Sequence, residues 1–135
     1  MKNKKGFTLV ELLVVIAIIG ILSTVAVVNL NSARDKAKVA AVKAQISGLA
    51  SAVVLCNDNN LAITNGAATP VACSGAAWTE SGQLCSNPAL TWPDLGTSGT
   101  PGTCANTVTT GVFTITATAT DSASTVITCT EAGCS

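Results

Sequence analysis

Histidine and tyrosine are missing altogether from this chain of 135 residues, and only 10% of its residues are charged. Histidine is the commonest general base and a common metal ligand, so its absence and the thin spread of carboxylates leave few candidates for acid–base catalysis. The six cysteines include no Cys-x-x-Cys pair, which, with no histidine to complete a site, argues against zinc. Asp58 and its asparagine neighbours lack the loop glycine and terminal glutamate of a calcium-binding loop. No lysine or arginine follows Lys43, so Asp58, Glu80, Asp94, Asp121 and Glu131 stand unopposed. A region of that charge is a poor electrostatic binder of nucleic acid, because phosphate neutralisation dominates such affinity. The composition therefore points away from an enzyme, a cofactor or metal site, and direct nucleic-acid binding.

What is present begins with Met1-Lys2-Asn3-Lys4-Lys5, a basic leader, and an apolar segment behind it. From Leu12 to Ala33 no residue is charged; as a helix these residues span roughly 33 Å, close to the thickness of a bilayer's hydrocarbon core. Glu11 stands at the edge of that segment, and an ionisable group there is costly enough to mark a functional position. A secretory signal peptide cut near Ser23-Thr24-Val25-Ala26 is the alternative, but such peptides have a shorter apolar core. It also leaves Glu11 and Gly6-Phe7 unexplained.

The helical pattern continues past the apolar run. Val39, Val42, Ile46, Leu49, Val53 and Cys56 recur at spacings of three and four, which places them on one stripe, with Lys38, Ala41, Gln45 and Ala52 opposite. No proline interrupts residues 7–69, so one long helix is expected from about Thr8 to Cys56. Asn57-Asp58-Asn59-Asn60 supplies residues that favour caps over helix interiors. The basic group Arg34, Lys36, Lys38 and Lys43 reads as a solvated face with local pairs such as Arg34 or Lys38 with Asp35. The alternative is contact with anionic headgroups or with acidic surfaces of neighbours.

Residues 61–111 are rich in Gly, Ser, Thr, Asn and Pro, with apolar anchors at Val71, Trp78, Leu84, Leu90, Trp92 and Leu95, and read as a long irregular connection. Gly96-Thr-Ser-Gly99-Thr-Pro-Gly102 lacks the following lysine of a phosphate-binding loop and is expected to be a flexible surface loop. The strand signal comes later. Between Gly111 and Thr120, Phe113, Ile115, Ala117 and Ala119 alternate with threonines; Asp121-Ser-Ala-Ser124 suits a turn, and Thr125–Thr130 returns as an antiparallel partner. The apolar face of this pair is expected to cover the 39–56 stripe.

Cys56, Cys73, Cys85, Cys104, Cys129 and Cys134 all follow the apolar run, and an even count in a small domain reads as disulfides formed in an oxidising compartment. That places the C-terminal part outside the cytoplasm, where flanking charge alone leaves the topology open. Six cysteines allow 15 pairings. Nearest-neighbour pairing gives Cys56 with Cys73, Cys85 with Cys104 and Cys129 with Cys134; Cys56 with Cys104 is the alternative.

The run Gly6-Phe7-Thr8-Leu9-Val10-Glu11 ahead of an Ile/Val/Leu segment resembles the N-terminus of type IV prepilins and of the pseudopilins of type II secretion. The resemblance covers about the first 30 residues and implies cleavage by prepilin peptidase between Gly6 and Phe7, followed by methylation of the Phe7 amine. It assigns Glu11 to assembly, pairing with the Phe7 amine of a neighbouring subunit; the plainer alternative is a carboxylate reaching water at headgroup depth. Many pilins carry a proline where this chain has Val28, so any unwinding of the helix during assembly must rely on Gly20 and the Ser23-Thr24 pair. Major pseudopilins often bind calcium through clustered acids near the C-terminus, and no such cluster occurs here.

The resulting expectation is an α+β protein: a long, partly transmembrane N-terminal helix packed against a small antiparallel sheet supported by disulfides. The divisions expected are a leader at 1–6, a transmembrane and assembly helix at 7–33, an amphipathic continuation at 34–56 and a disulfide-rich β domain at 57–135. The function expected is that of a type IV pilus subunit, held in the inner membrane by a single pass and then polymerised into an extracellular helical filament by the pilus or secretion assembly machinery. A type II secretion pseudopilin is the alternative within the family, and a monomeric membrane-anchored binding domain the alternative outside it.

Overall fold

The computed structural model describes residues 6–68, 72–86, 89–107 and 112–135. Most of the leader, Met1–Lys5, as well as Val71 and Gly111, therefore lies outside the described residues. The elements run α1 (Leu9–Asp58), β1 (Ser74–Ala77), β2 (Gly99–Thr107), β3 (Val112–Ala119), β4 (Val126–Thr130) and β5 (Gly133–Cys134). The chain divides into two compact units, Met1–Arg34 and Asp35–Ser135. The architecture is α+β, with a long apolar N-terminal helix, an antiparallel five-stranded sheet and disulfides.

In the first unit no residue from Leu9 to Arg34 is buried. The hydroxyls of Ser23 and Thr24 are satisfied within the helix: Ser23 Oγ donates to the Ile19 carbonyl at 2.7 Å and Thr24 Oγ1 to that of Ile21 at 2.8 Å. This back-bonding lets polar residues sit in an apolar helix without an unpaired hydroxyl. The helix is continuous through Gly20, where nothing lies within 4 Å of the position a Cβ would take.

In the second unit the helical stripe forms the core. Val42, Ile46, Leu49, Val53 and Cys56 are buried and Val39 half-buried, as a three/four spacing requires. The opposite side is less free than a solvated face. Lys38 Nζ donates to the Thr120 carbonyl at 2.7 Å, Gln45 Nε2 to that of Asp94 at 3.0 Å, and Asp35 accepts from Ser122 Oγ at 2.6 Å. Asp35 and Lys38 thus tie the helix to the β3–β4 turn, where a local pair between them was expected. The end of α1 is set by Asn60, whose φ of 55° is the left-handed conformation asparagine tolerates. Leu61 N–H donates to the Cys56 carbonyl and Asn60 N–H to that of Asn57, both at 2.9 Å, the paired bonds of a Schellman cap.

The sheet is an antiparallel meander in the order β1-β2-β3-β4-β5. On β3, Phe113, Ile115, Ala117 and Ala119 are buried while Thr114, Thr116 and Thr118 are half-exposed; Ile127 and Cys129 of β4 extend the inner face. β2 corrects the expected flexible loop. Its sequence shows no alternation, yet it pairs with both β1 and β3. Two features explain it. Gly99 and Gly102 lie where a Cβ would overlap Val42 and Thr116 respectively, so close packing, not flexibility, selects glycine. Pro101, without an N–H, falls on a stretch of β2 that β1, paired only with 103–105, leaves as an edge.

A bulge between Pro101 and Cys104 disturbs the ladder around Thr116, whose carbonyl accepts Trp78 Nε1 at 2.8 Å. Trp78 stacks on Trp92 with centroids 4.8 Å apart, and Trp92 Nε1 donates to the Thr64 carbonyl at 2.8 Å. Both rings are buried, so the described part of 61–98 is folded around them although its regular structure is slight.

Candidate functional site

Gly6, Phe7 and Thr8 precede α1 in irregular, exposed backbone, and the Gly6–Phe7 bond lies outside the helix that begins at Leu9. Phe7 is 79% exposed. Chain direction alone makes this a helix N-terminus, with N–H groups that need acceptors and a positive dipole end. Thr8 and Glu11 answer that need. Glu11 N–H donates to Thr8 Oγ1 at 3.2 Å, while Glu11 Oε2 accepts from Thr8 N–H and from Thr8 Oγ1, both at 2.8 Å. This is a reciprocal capping box.

Glu11 is therefore held in one geometry by its own chain. Sequence reasoning singled out Glu11 and missed Thr8 as its partner, although the signature, threonine three residues ahead of glutamate before an apolar run, is legible. The Phe7 nitrogen is still in its peptide bond to Gly6, so a pairing between the Phe7 amine and Glu11 belongs to processed chains.

Beyond the box, Leu9, Val10, Leu12, Leu13, Ile16, Ile18, Ile19, Ile21 and Leu22 are each more than half exposed, and so is Leu30. The most apolar 18-residue window of α1 has a mean hydropathy of 2.7, and the helix is long and apolar enough to cross a membrane. So much apolar surface on one helix calls for lipid or for other helices.

In the second unit Cys56 is bonded to Cys85, Cys73 to Cys104 and Cys129 to Cys134. The nearest-neighbour scheme holds for Cys129–Cys134 and fails for the other four, and Cys56–Cys104 does not form. The sheet gives the reason. Ser74 of β1 is in register with Ala105 of β2 and Asn106 N–H donates to the Cys73 carbonyl at 2.9 Å, which brings Cys73 to within 5.1 Å of Cys104 between Cα atoms. Cys56 closes the core stripe of α1 and meets Cys85, which is buried in the segment around the tryptophans.

Residues 1–27 match the family model of a prokaryotic N-terminal methylation motif. The chain carries a prepilin-type methylation motif. Known proteins share parts of this chain. It is 53% identical over 47 residues to the type IV wide pilus major component PilA4 of Thermus thermophilus, covering 35% of this chain and 36% of that one. It is 38% identical over 61 residues to the type II secretion system core protein G of Pseudomonas aeruginosa, covering 45% and 43%. A probable minor fimbrial protein of Dichelobacter nodosus is 38% identical over 68 residues, covering 50% and 43%. The chain thus aligns with less than half the length of each of these relatives. No solved structure matches it.

Proposed function

We propose that this chain is a structural subunit of a type IV pilus. The leader is removed between Gly6 and Phe7 by prepilin peptidase, the Phe7 amine is methylated, and the subunit waits in the inner membrane with its disulfide-bonded unit outside the cytoplasm. The assembly machinery then packs α1 of many copies into a filament. The observation that carries this reading is the methylation motif at 1–27 joined to a helix with no buried residue between Leu9 and Arg34.

The capping box gives Glu11 a specific task in this reading. Both Thr8 donors go to Oε2, which leaves Oε1 to receive the cationic Phe7 amine of a second copy. An unpaired carboxylate in an apolar bundle costs several kcal/mol after relaxation, so misplaced subunits are penalised more than the correct pair is favoured. The test is electron microscopy of sheared cell-surface material, with identification of the subunit by mass. Fibres containing this chain support the proposal. A chain that is processed but never found in fibres contradicts it.

A second reading, a pseudopilin of type II secretion, has its support in the 38% identity to the Pseudomonas secretion protein over 61 residues. Deleting the gene separates the two: a pseudopilin's loss abolishes secretion of folded exoproteins, whereas a pilin's loss removes surface fibres and leaves secretion intact.

A further inference from the structure

The outer side of α1 in the second unit has a charge order of its own. Lys36 and Lys43 are seven residues apart, so they stand on one side of the helix two turns from each other, and Asp58 lies about 60° around from Lys43 at the far end. All three are exposed, and none makes a hydrogen bond or ion pair with another described residue. Lys38 differs, since its amine is held by the Thr120 carbonyl. Between Lys43 and Asp58 the helix has no charged residue, and the exposed positions on the same side are the small Ser47 and Ser51 and the apolar Val54. Two free cations at one end and a free carboxylate at the other cannot satisfy each other within one chain. They lie about 22 Å (Lys43) and about 33 Å (Lys36) from Asp58 along the axis, beyond the screening length at physiological salt.

We propose that this face docks a second copy of the same chain in a parallel, staggered arrangement, with Asp58 of one subunit against Lys43 or Lys36 of the next. The proposal rests on the filament reading above and deepens it. A contact joining the end of one subunit to the start of another is heterologous, and heterologous contacts that do not close generate open helical assemblies, not dimers. The axial offset between these partners is then about 22–33 Å, set by the helical rise between Lys36 or Lys43 and Asp58. Ser47 and Ser51 are small, and the exposed Val54 between the charged groups offers the neighbour an apolar contact.

The experiment is a charge exchange in the full-length protein in its own cells, with fibre yield and membrane level measured together. Asp58→Lys alone, and Lys36→Glu with Lys43→Glu, are each expected to lower fibre yield at least tenfold at unchanged membrane level and unchanged leader removal. Combining all three substitutions restores the charge pairing in reversed sense and is expected to return the yield to within about threefold of wild type. No rescue by the combination overturns the proposal, as does normal assembly by Asp58→Lys. A fall in membrane level confined to the lysine variants assigns the cations to anionic lipid headgroups and also overturns it. If wild-type cells make no fibres containing the chain, it is the filament reading that fails, and that result is separate from any behaviour of the variants.

Discussion

Thr8 and Glu11 form the smallest unit with a consequence. Replacing a capping threonine costs about 0.5–2 kcal/mol of helix stability, so Thr8→Val is expected to speed amide exchange at residues 8–11 in detergent micelles, while Thr8→Ser restores protection. Equal protection in all three proteins would remove the box as the determinant of Glu11 geometry. Asp121 gives a second residue-scale prediction. Its carboxylate accepts from Thr125 N–H and Oγ1, both at 2.7 Å, and these bonds hold its pKa below the ordinary aspartate value. A depressed folded-state pKa contributes stability that is present above the unfolded value and lost as pH falls through the folded one. Thermal melts of the wild type and Asp121→Asn are therefore expected to differ at neutral pH and to converge in acid below the usual aspartate range. A gap that persists there contradicts the carboxylate's role. Both features follow from short-range patterns, Thr-x-x-Glu and an aspartate opening a turn, and so were within reach of the sequence. Gly102 was not, because the atoms that demand a glycine belong to Thr116, fourteen positions on.

At the scale of elements, legibility followed periodicity. α1 shows a three/four spacing and β3 a strict alternation, each produced by contact with one continuous core, so each could be read locally. β2 could not, since Gly99-Thr-Pro-Gly-Thr-Cys-Ala-Asn-Thr107 matches neither period and owes its strand state to its neighbours on both sides. Overpacking a well-filled site costs typically 1–3 kcal/mol, and Gly102→Ala is expected to destabilise the second unit by about that amount in denaturant melts; an unchanged midpoint would show that the bulge yields freely. The Cys73–Cys104 bridge escaped for the same reason as β2, being fixed by the pairing of β1 with β2, and Cys56–Cys85 joins the helix stripe to an irregular segment; spacing encodes neither. The loops closed are unequal: Cys56–Cys85 and Cys73–Cys104 span 29 and 31 residues, against 5 for Cys129–Cys134. Loop-closure entropy assigns about 3.6 kcal/mol to each long bridge and about 2 kcal/mol to the short one. Removing Cys73–Cys104 as a double serine variant is thus expected to lower stability more than removing Cys129–Cys134, and the reverse order in thermal melts would discount chain entropy as the main effect.

For the molecule as a whole, the division of labour follows from burial. The second unit has a buried core and leaves Val54, Leu55, Val112 and Val126 exposed among its large apolar residues, whereas the helix from Leu9 to Arg34 leaves all of its own uncovered and carries the only carboxylate of the first unit at its start. If Glu11 recruits the Phe7 amine of a neighbour, Glu11→Ala and Glu11→Gln are both expected to insert, lose their leaders and form three disulfides, yet to yield few fibres. Normal fibres from both would reduce Glu11 to a helix cap. The most direct test of the central claim is the intact mass, under non-reducing conditions, of the subunit recovered from sheared surface fibres. The mass predicted is that of a chain beginning at Phe7, bearing one methyl group and three disulfides. A subunit that retains Met1–Gly6, or begins beyond Ala26, contradicts the claim.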